Sequence, residues 1–248
     1  MTCWRRNTGL IDFHTHILPG IDDGSRSVEM TMQMLNAETE QGVTGIVATP
    51  HFYAHKSNIE DFLAAREESF ASVQREIAGS DEDLIYPEIF KAAEVYWFSG
   101  MGKAKKLPEL CIEGTRTLLL EMPFRQWDEE MLQEVELIMT GQKLHVVLVH
   151  VERYMRWQKD KTVWKRLLEM PLTLQVNAES LKGGWRQRRF CFKLIKERQA
   201  VLIGSDCHDT VKRPPNLLQA RTLITKKLGA AVLRKIDEEG RKRLQTQL

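Results

Sequence analysis

The sequence holds seven histidines, and five of them, His14, His16, His51, His150 and His208, sit at or just beyond the carboxyl end of an apolar run with strand character. Four carboxylates keep them company: Glu94 in KAAEVYW, Glu121 in TLLLEMPF, Asp206 in GSDCHD and Asp23 in PGIDDGS. Alternate residues of an extended segment face the same side, so His14-Thr15-His16 can offer two imidazoles to one ion, and Asp206 and His208 repeat that spacing. Carboxylates that end apolar strands need a counter-charge, which a metal cation supplies. A single strand-end histidine is as readily a hydrogen-bonded structural residue, but these nine N and O donors together point to metal. His55, in a polar loop, and His145, at a strand start, read as structural.

For such scattered residues to meet, the chain must carry them to one face. Apolar, β-rich runs occur at Leu10 to His14, Gly45 to Ala48, Ala92 to Tyr96, Thr117 to Glu121, His145 to His150, Leu172 to Val176 and Ala200 to Ile203. Helical patterns alternate with them at Val28 to Glu40, Ile59 to Ile77, Glu129 to Thr140, Val163 to Glu169 and Phe190 to Lys196, and Leu217 to Ile236 reads as a closing helix. This alternation predicts a single α/β domain with a parallel, barrel-like sheet, in which every strand's carboxyl end opens on the same side. No G-x-G-x-x-G follows the first strand, which argues against a dinucleotide-binding sheet. The domain is expected to span 10–236, with an extension at 1–9 and a polar tail at 237–248.

The 36 basic and 34 acidic residues nearly cancel, to a net charge of +2, which gives no general field for nucleic acid or an anionic membrane. No secretory signal and no membrane-spanning run is evident, so a cytoplasmic location is expected. Cys3, Cys111, Cys191 and Cys207 lack C-x-x-C spacing. Cys207 is conceivable as a phosphatase nucleophile, with Arg213 six residues on, but the intervening HDTVK lacks glycine and reads as metal-ligand sequence, so a buried, inert thiol is expected.

The segments IDFHTHILPGIDDG, ATPH, AAEVYW, LLLEMPF, LVHVERY and SDCHD followed by RPP, taken in order, resemble the successive motifs of the polymerase-and-histidinol-phosphatase (PHP) phosphoesterases. Within that superfamily they are most similar to the bacterial tyrosine-phosphatase branch that regulates capsule and exopolysaccharide synthesis. The resemblance implies a distorted, TIM-like (β/α)7 barrel with three divalent ions, usually manganese, although imidazole and carboxylate ligands suit iron and zinc equally. Carried over by motif, it places His14, His16, Glu94 and Asp206 on one ion, Glu94, Glu121 and His150 on a second, and Asp23, His51 and His208 on a third, with Asp22 a substitute for Asp23. Asp12 would orient an imidazole or be structural.

The implied chemistry is phosphomonoester hydrolysis by an activated water, without a phosphoenzyme. Arg153 in HVERY and Arg213 in KRPP would grip the phosphoryl oxygens; surface pairing with Glu152 and Asp209 is the plainer alternative. Tyr96, Trp97, Trp127, Tyr154 and Trp157 are candidates to wall a phenyl slot, each otherwise a packing residue. RQWDEE after Glu121 and GGWRQRR at 183–189 have no template in the resemblance, and the second reads most simply as a solvated loop. The expected substrate is a phosphotyrosine protein, the tail of a bacterial tyrosine autokinase. A histidinol-phosphate-like small-molecule phosphatase, or a silent regulator binding an acidic protein, are the alternatives; nucleic acid and membrane insertion are not expected.

Overall fold

The structure, a computed structural model, describes residues 9–81, 83–198 and 200–245; the extension expected at 1–9 therefore lies almost entirely outside the described residues. Among the described residues nine parallel strands alternate with seven α-helices: β1 (Leu10–Thr15), α1 (Val28–Glu40), β2 (Val43–Ala48), β3 (His51–Phe52), α2 (Ile59–Gly79), β4 (Glu88–Lys91), β5 (Glu94–Tyr96), β6 (Thr117–Glu121), α3 (Glu129–Thr140), β7 (His145–Leu148), α4 (Thr162–Glu169), β8 (Thr173–Asn177), α5 (Trp185–Glu197), β9 (Val201–Gly204), α6 (Leu217–Leu228) and α7 (Ala230–Gln245). Side-chain caps from Ser27, Asn58 and Asp128 start α1, α2 and α3.

The strands pair as β1-β2-β4 and β3-β5-β6-β7-β8-β9. The two sheets are one surface interrupted at a single level. Pro50, which has no N–H to donate, separates β2 from β3, while Ala92 and Ala93 separate β4 from β5. Backbone bonds from Ala92 N to Ala48 O and Glu94 N to Pro50 O carry the pairing across the gap at 2.9 and 3.0 Å. Taken as interrupted single strands, β2/β3 and β4/β5 leave seven strands. An isolated parallel bridge, Thr15 to Cys207, joins the last strand to the first. This is the expected distorted (β/α)7 arrangement, its closure resting on that bridge rather than on a full ladder.

Inside the strands an apolar plug of Ile11, Phe13, Val47, Leu119, Val147 and Leu202 fills the barrel. The chain's end seals its amino-terminal mouth, and here sequence expectation and structure part. The closing helix expected over 217–236 breaks at Gly229, whose φ of 88° ends α6, and α7 then takes in the described part, 237–245, of the expected polar tail. Its polarity conceals a buried face. Arg243 is buried and its carbonyl accepts from Thr117 Oγ1 at 3.0 Å, Glu239 accepts from Thr173 Oγ1 at 2.7 Å, and Gly240 lies flat against Phe13. Likewise Trp185 to Arg189 form the first turns of α5 rather than a loop.

A Cβ at Gly240 would fall 2.5 Å from Phe13 Cε2. We expect Gly240→Leu to lower the urea midpoint at unchanged m-value, by about 1–3 kcal/mol of overpacking strain. At the same mouth, burial and the Arg243 and Lys242 charges hold the His145 imidazole down at about 4. The unfolded chain takes up that proton near 6.5, so this contribution is complete above about pH 6.5 and is lost as pH falls toward 4. His145→Gln should therefore show a smaller fall in urea midpoint between about pH 7 and pH 5 than the parent chain.

Candidate metal centre

At the carboxyl ends of the strands the backbone departs from regularity. Along β1, Asp12 pairs with Ile46 and Thr15 with Ala48, so three steps on β1 oppose two on β2. This bulge reverses the pleat: Ile11 and Phe13 point into the barrel, and beyond it His14 and His16 do. Gly24 and Gly204 back these imidazoles so closely that a Cβ would lie 2.5 Å from His16 Cβ and His14 Cβ respectively. His150 and Asp206, with φ of 32° and 56°, are two of the three non-glycine residues in the left-handed region among the described residues.

All nine expected ligands come together. Glu94 is the hub: its oxygens lie 2.7 Å from His150 Nε2, 3.0 Å from His51 Nδ1, 3.1 Å from His14 Nε2 and 3.3 Å from His16 Nε2. Glu121 adds contacts of 3.5 Å to His150 and 3.9 Å to His51. Asp206 Oδ1 stands 3.4 Å from His16 Nε2 and 3.6 Å from His14 Nε2. Asp23 Oδ1 is 3.5 Å from His51 Nε2 and 3.7 Å from His208 Nε2.

Three sets of donor atoms are close enough to share an ion: His14, His16 and Glu94; His16, Asp23, His51 and His208; and His51, Glu94 and Glu121. These groups overlap the three expected from sequence, except that His16 and His51 are each shared and that His150 and Asp206 belong to none. His55 is exposed and His145 lies at the opposite mouth, as expected of structural residues.

Second partners fix which ring nitrogen faces the cluster. His14 Nδ1–H donates to Gln175 Oε1 at 3.2 Å, His16 Nδ1–H to Asp22 Oδ2 at 2.7 Å, and His208 Nδ1–H to the Asp206 carbonyl at 3.0 Å, leaving each Nε2 lone pair turned inward. Asp22 thus orients a histidine and Asp23 faces the cluster. Asp12 touches no imidazole; its Oδ1 accepts from the His14 and Ser205 amides and ties β1 to β9, which is the structural one of its two expected roles.

Sequence reasoning missed Gln175 and Asn177. The signal was present, since LTLQVN alternates polar Thr173, Gln175 and Asn177 with apolar residues, the pattern of a strand whose polar edge faces a buried site.

The electrostatics fit cations. Burial favours neutral acids throughout, yet His14 and its neighbours hold Glu94 well below the usual carboxylate range, and Asp206 is held down by His14, His16 and Arg153. Glu121 cannot also ionise: burial and the Glu94 charge push its carboxyl up to about 9. The imidazoles offset this only in part: the carboxylates push His14 and His16 toward their charged forms, but burial keeps His150 at about 4 and, with the His16 charge, His208 at about 3. Buried His51 Nδ1, Glu121 Oε2 and His208 Nε2 have no hydrogen-bond partner. Five imidazoles and four carboxylates, with orphaned inward lone pairs and an acid kept neutral only by its neighbours, match first-row divalent ions.

Arg153 and Arg213 pair with neither Glu152 nor Asp209. Each places Nη2 2.7 Å from Asp206 Oδ2, at 36% and 39% side-chain exposure, on the rim of the cluster. Asn177 Nδ2 donates to the same oxygen at 2.6 Å. Asp209 Oδ1 instead accepts from the amides of Val211, Lys212 and Arg213 and shapes the loop that carries Arg213.

Of the aromatic candidates, Tyr154 and Trp127 are core residues, Tyr154 Oη accepting from Met122 N and Trp127 Nε1 donating to Pro123 O. Tyr96 is half-buried, and its ring lies 5.5 Å from that of Tyr53, a residue the sequence did not single out, which in turn lies 5.2 Å from His51. Beside Asp23 and His51 opens a groove of about 460 Å³, bounded also by Tyr53, Lys56 and Phe62. Cys207 is fully buried and its thiol is pushed well up by burial and by Glu38, which removes the nucleophile alternative.

Fold and site together define a parallel α/β barrel with a candidate multinuclear metal centre at the strand ends. Residues 10–244 match the family model described as "Capsular polysaccharide synthesis, CpsB/CapC", and the chain belongs to that family. It is 29% identical over 236 residues to the tyrosine-protein phosphatase CpsB of Streptococcus pneumoniae, covering 89% of this chain and 92% of that one. Against the tyrosine-protein phosphatase YwqE of Bacillus subtilis it is 24% identical over 229 residues, covering 89% and 86%. The fold matches a solved structure described as YwqE from Bacillus subtilis and CpsB from Streptococcus pneumoniae, unique metal-dependent tyrosine phosphatases, with TM-score 0.82, 24% identity and 96% of each chain covered. No helix among the described residues is long and apolar enough to cross a membrane.

Removing divalent ions should leave Glu94 and Asp206 with only the neighbouring imidazoles and arginines to offset their charge and force Glu121 to hold a proton. Dialysis against a chelator is expected to lower the thermal midpoint, and a divalent ion at about a hundred times its dissociation constant to restore about 2.7 kcal/mol. A midpoint indifferent to both treatments would count against a metal centre.

Proposed function

We propose that the chain is a metal-dependent protein-tyrosine phosphatase of the capsule-regulating branch, hydrolysing phosphotyrosine on a protein such as a bacterial tyrosine autokinase. The observation that carries this reading is the pair of guanidinium groups on Asp206 at the rim of the nine-residue cluster. One carboxylate cannot satisfy two forks of five N–H donors each, so a net positive charge and free donors face the mouth, suited to a phosphoryl dianion.

His14, His16, Glu94 and Asp206 would hold one ion, Glu94, Glu121 and His150 a second, and Asp23, His51 and His208 a third; manganese is the favoured ion, with iron and zinc compatible. Such ions supply charge neutralisation at the phosphoryl group and an acidified water as nucleophile. Arg153 and Arg213 bind and orient the phosphoryl oxygens. Gln175 and Asp22 keep His14 and His16 in the tautomer that presents Nε2. Tyr53, with the Tyr96 ring 5.5 Å from its own, bounds the groove beside His51, where the phenyl ring of a phosphotyrosine would lie. A phenolate leaves more readily than an alkoxide, so an aryl ester asks less of any acid in the site. The names of the relatives CpsB and YwqE agree with this assignment.

Phosphate release from a phosphotyrosine peptide should require a divalent ion. Arg153→Ala or Arg213→Ala should cut kcat/KM by about tenfold to a hundredfold, the worth of a charge-assisted hydrogen bond of about 1.5–3 kcal/mol. Tyr53→Leu should raise KM for aryl phosphates while sparing an alkyl phosphate. Faster turnover of histidinol phosphate than of the peptide would instead favour a small-molecule phosphatase.

A further inference from the structure

The GGWRQRR segment has no role in the centre, yet it builds a second concentrated feature. On α5 the apolar residues Cys191, Phe192, Leu194 and Ile195 turn into the core, while Trp185 is 63% exposed. Arg186, Arg188 and Arg189 of α5, with Lys226 and Lys227 of α6, enter no ion pair among the described residues; nearby Lys182, Lys193 and Arg221 do. Two of the free cations are held over rings, the Arg189 guanidinium 5.6 Å from the Trp185 centroid and Lys227 Nζ 4.7 Å from that of Phe192. Between them lies a concavity of about 350 Å³, lined also by Arg188 and Leu228. With a net charge of only +2 over the whole chain, this surplus is local.

The patch starts beside the candidate active site. Gln187 Nε2 donates to Ser180 Oγ at 3.0 Å, Ser180 Oγ to Glu152 Oε1 at 2.7 Å, Asn177 N to that same Glu152 oxygen at 3.3 Å, and Asn177 Nδ2 to Asp206 Oδ2 at 2.6 Å. A side-chain chain thus links the first turns of α5 to the rim of the cluster.

We propose that this α5/α6 concavity is a docking site for an acidic segment of the protein substrate, one that flanks the phosphotyrosine in sequence. The inference rests on the protein-phosphatase reading for its biological sense, though not for its test. Arg188, Arg189 and Lys227, which line the concavity without an acidic partner among the described residues, call for carboxylates, and the open, shallow form suits a peptide chain. A bilayer surface fits less well, because the apolar face of α5 is spent on the core and only Trp185 could enter the interface. Surface charges of this kind act chiefly on association rate and fall off with salt.

Anisotropy of a labelled, unphosphorylated glutamate-rich peptide, titrated with the full-length protein, tests the site directly. We expect binding that weakens with added salt and at least tenfold weaker binding in Arg188→Glu/Arg189→Glu and, independently, in Lys227→Glu, which lies on another helix. Turnover of p-nitrophenyl phosphate should be unchanged in all variants, which also reports that they fold. Absence of peptide binding, or binding indifferent to both reversals, overturns the docking site. So does tighter binding, through the same residues, of phosphatidylglycerol vesicles or single-stranded DNA. Failure of the parent chain to hydrolyse any aryl phosphate would refute the phosphatase reading while leaving the peptide result to stand or fall by itself.

Discussion

A fully buried carboxylate in contact with four imidazoles organises this molecule's working end. Burying an ion without compensation costs several kcal/mol, and Glu94 has only two means of compensation: protonated histidines or cations from outside. Protonation can serve in part, since Glu94, Asp206 and Asp22 favour the charged forms of His14 and His16. It fails beyond that, because His150 and His208 are held neutral and a third carboxylate, Glu121, stands beside the first. Without a cation the site stays balanced only by keeping Glu121 protonated, pushing His14 and His16 toward their charged forms and setting two arginines on Asp206, and that dependence is the physical content of a metal centre.

No regular barrel would deliver these groups to one point. The bulge in β1, the interruptions at Pro50 and at Ala92 and Ala93, and the left-handed backbone at His150 and Asp206 all fall at the level of the cluster. Each gives up some ladder or backbone stability to aim a side chain. The opposite mouth is conservative by contrast: an apolar plug, threonine hydroxyls bonded across to α7, and a glycine that lets the helix lie against Phe13. The barrel is stable at one end so that the other can be irregular.

Much of this was legible in the residues. The boundaries of α1 and α3 and of β6 follow from apolar periodicity and capping residues, and strand-end placement of histidines and acids was enough to gather all nine. What escaped reading has identifiable causes. The two-residue β3 and the split between β4 and β5 are too short for periodicity to register. The bulge at His14 is a property of pairing between strands, and nothing in FHTH states it. The polar face of α7 resembles a tail because its buried contacts beyond 236 are, apart from Leu244, hydrogen bonds and a glycine. Gln175 and Asn177 were passed over because amides are not ligand types, although their alternation with apolar neighbours marked them as inward-facing.

Asp206 ties the two halves of the site into one device. Its Oδ1 faces His14 and His16, where an ion would be gripped, while its Oδ2 receives Arg153, Arg213 and Asn177, where a phosphoryl group would be met. A carboxylate is rigid and planar, so its two oxygens cannot move independently; a displacement of one re-aims the other. The position of the guanidinium groups is therefore set by the same residue that sets the position of the inner cluster. Anion and cation subsites are held in register by two C–O bonds rather than by two separately folded loops, and the left-handed backbone at Asp206 is the strain through which that register is fixed.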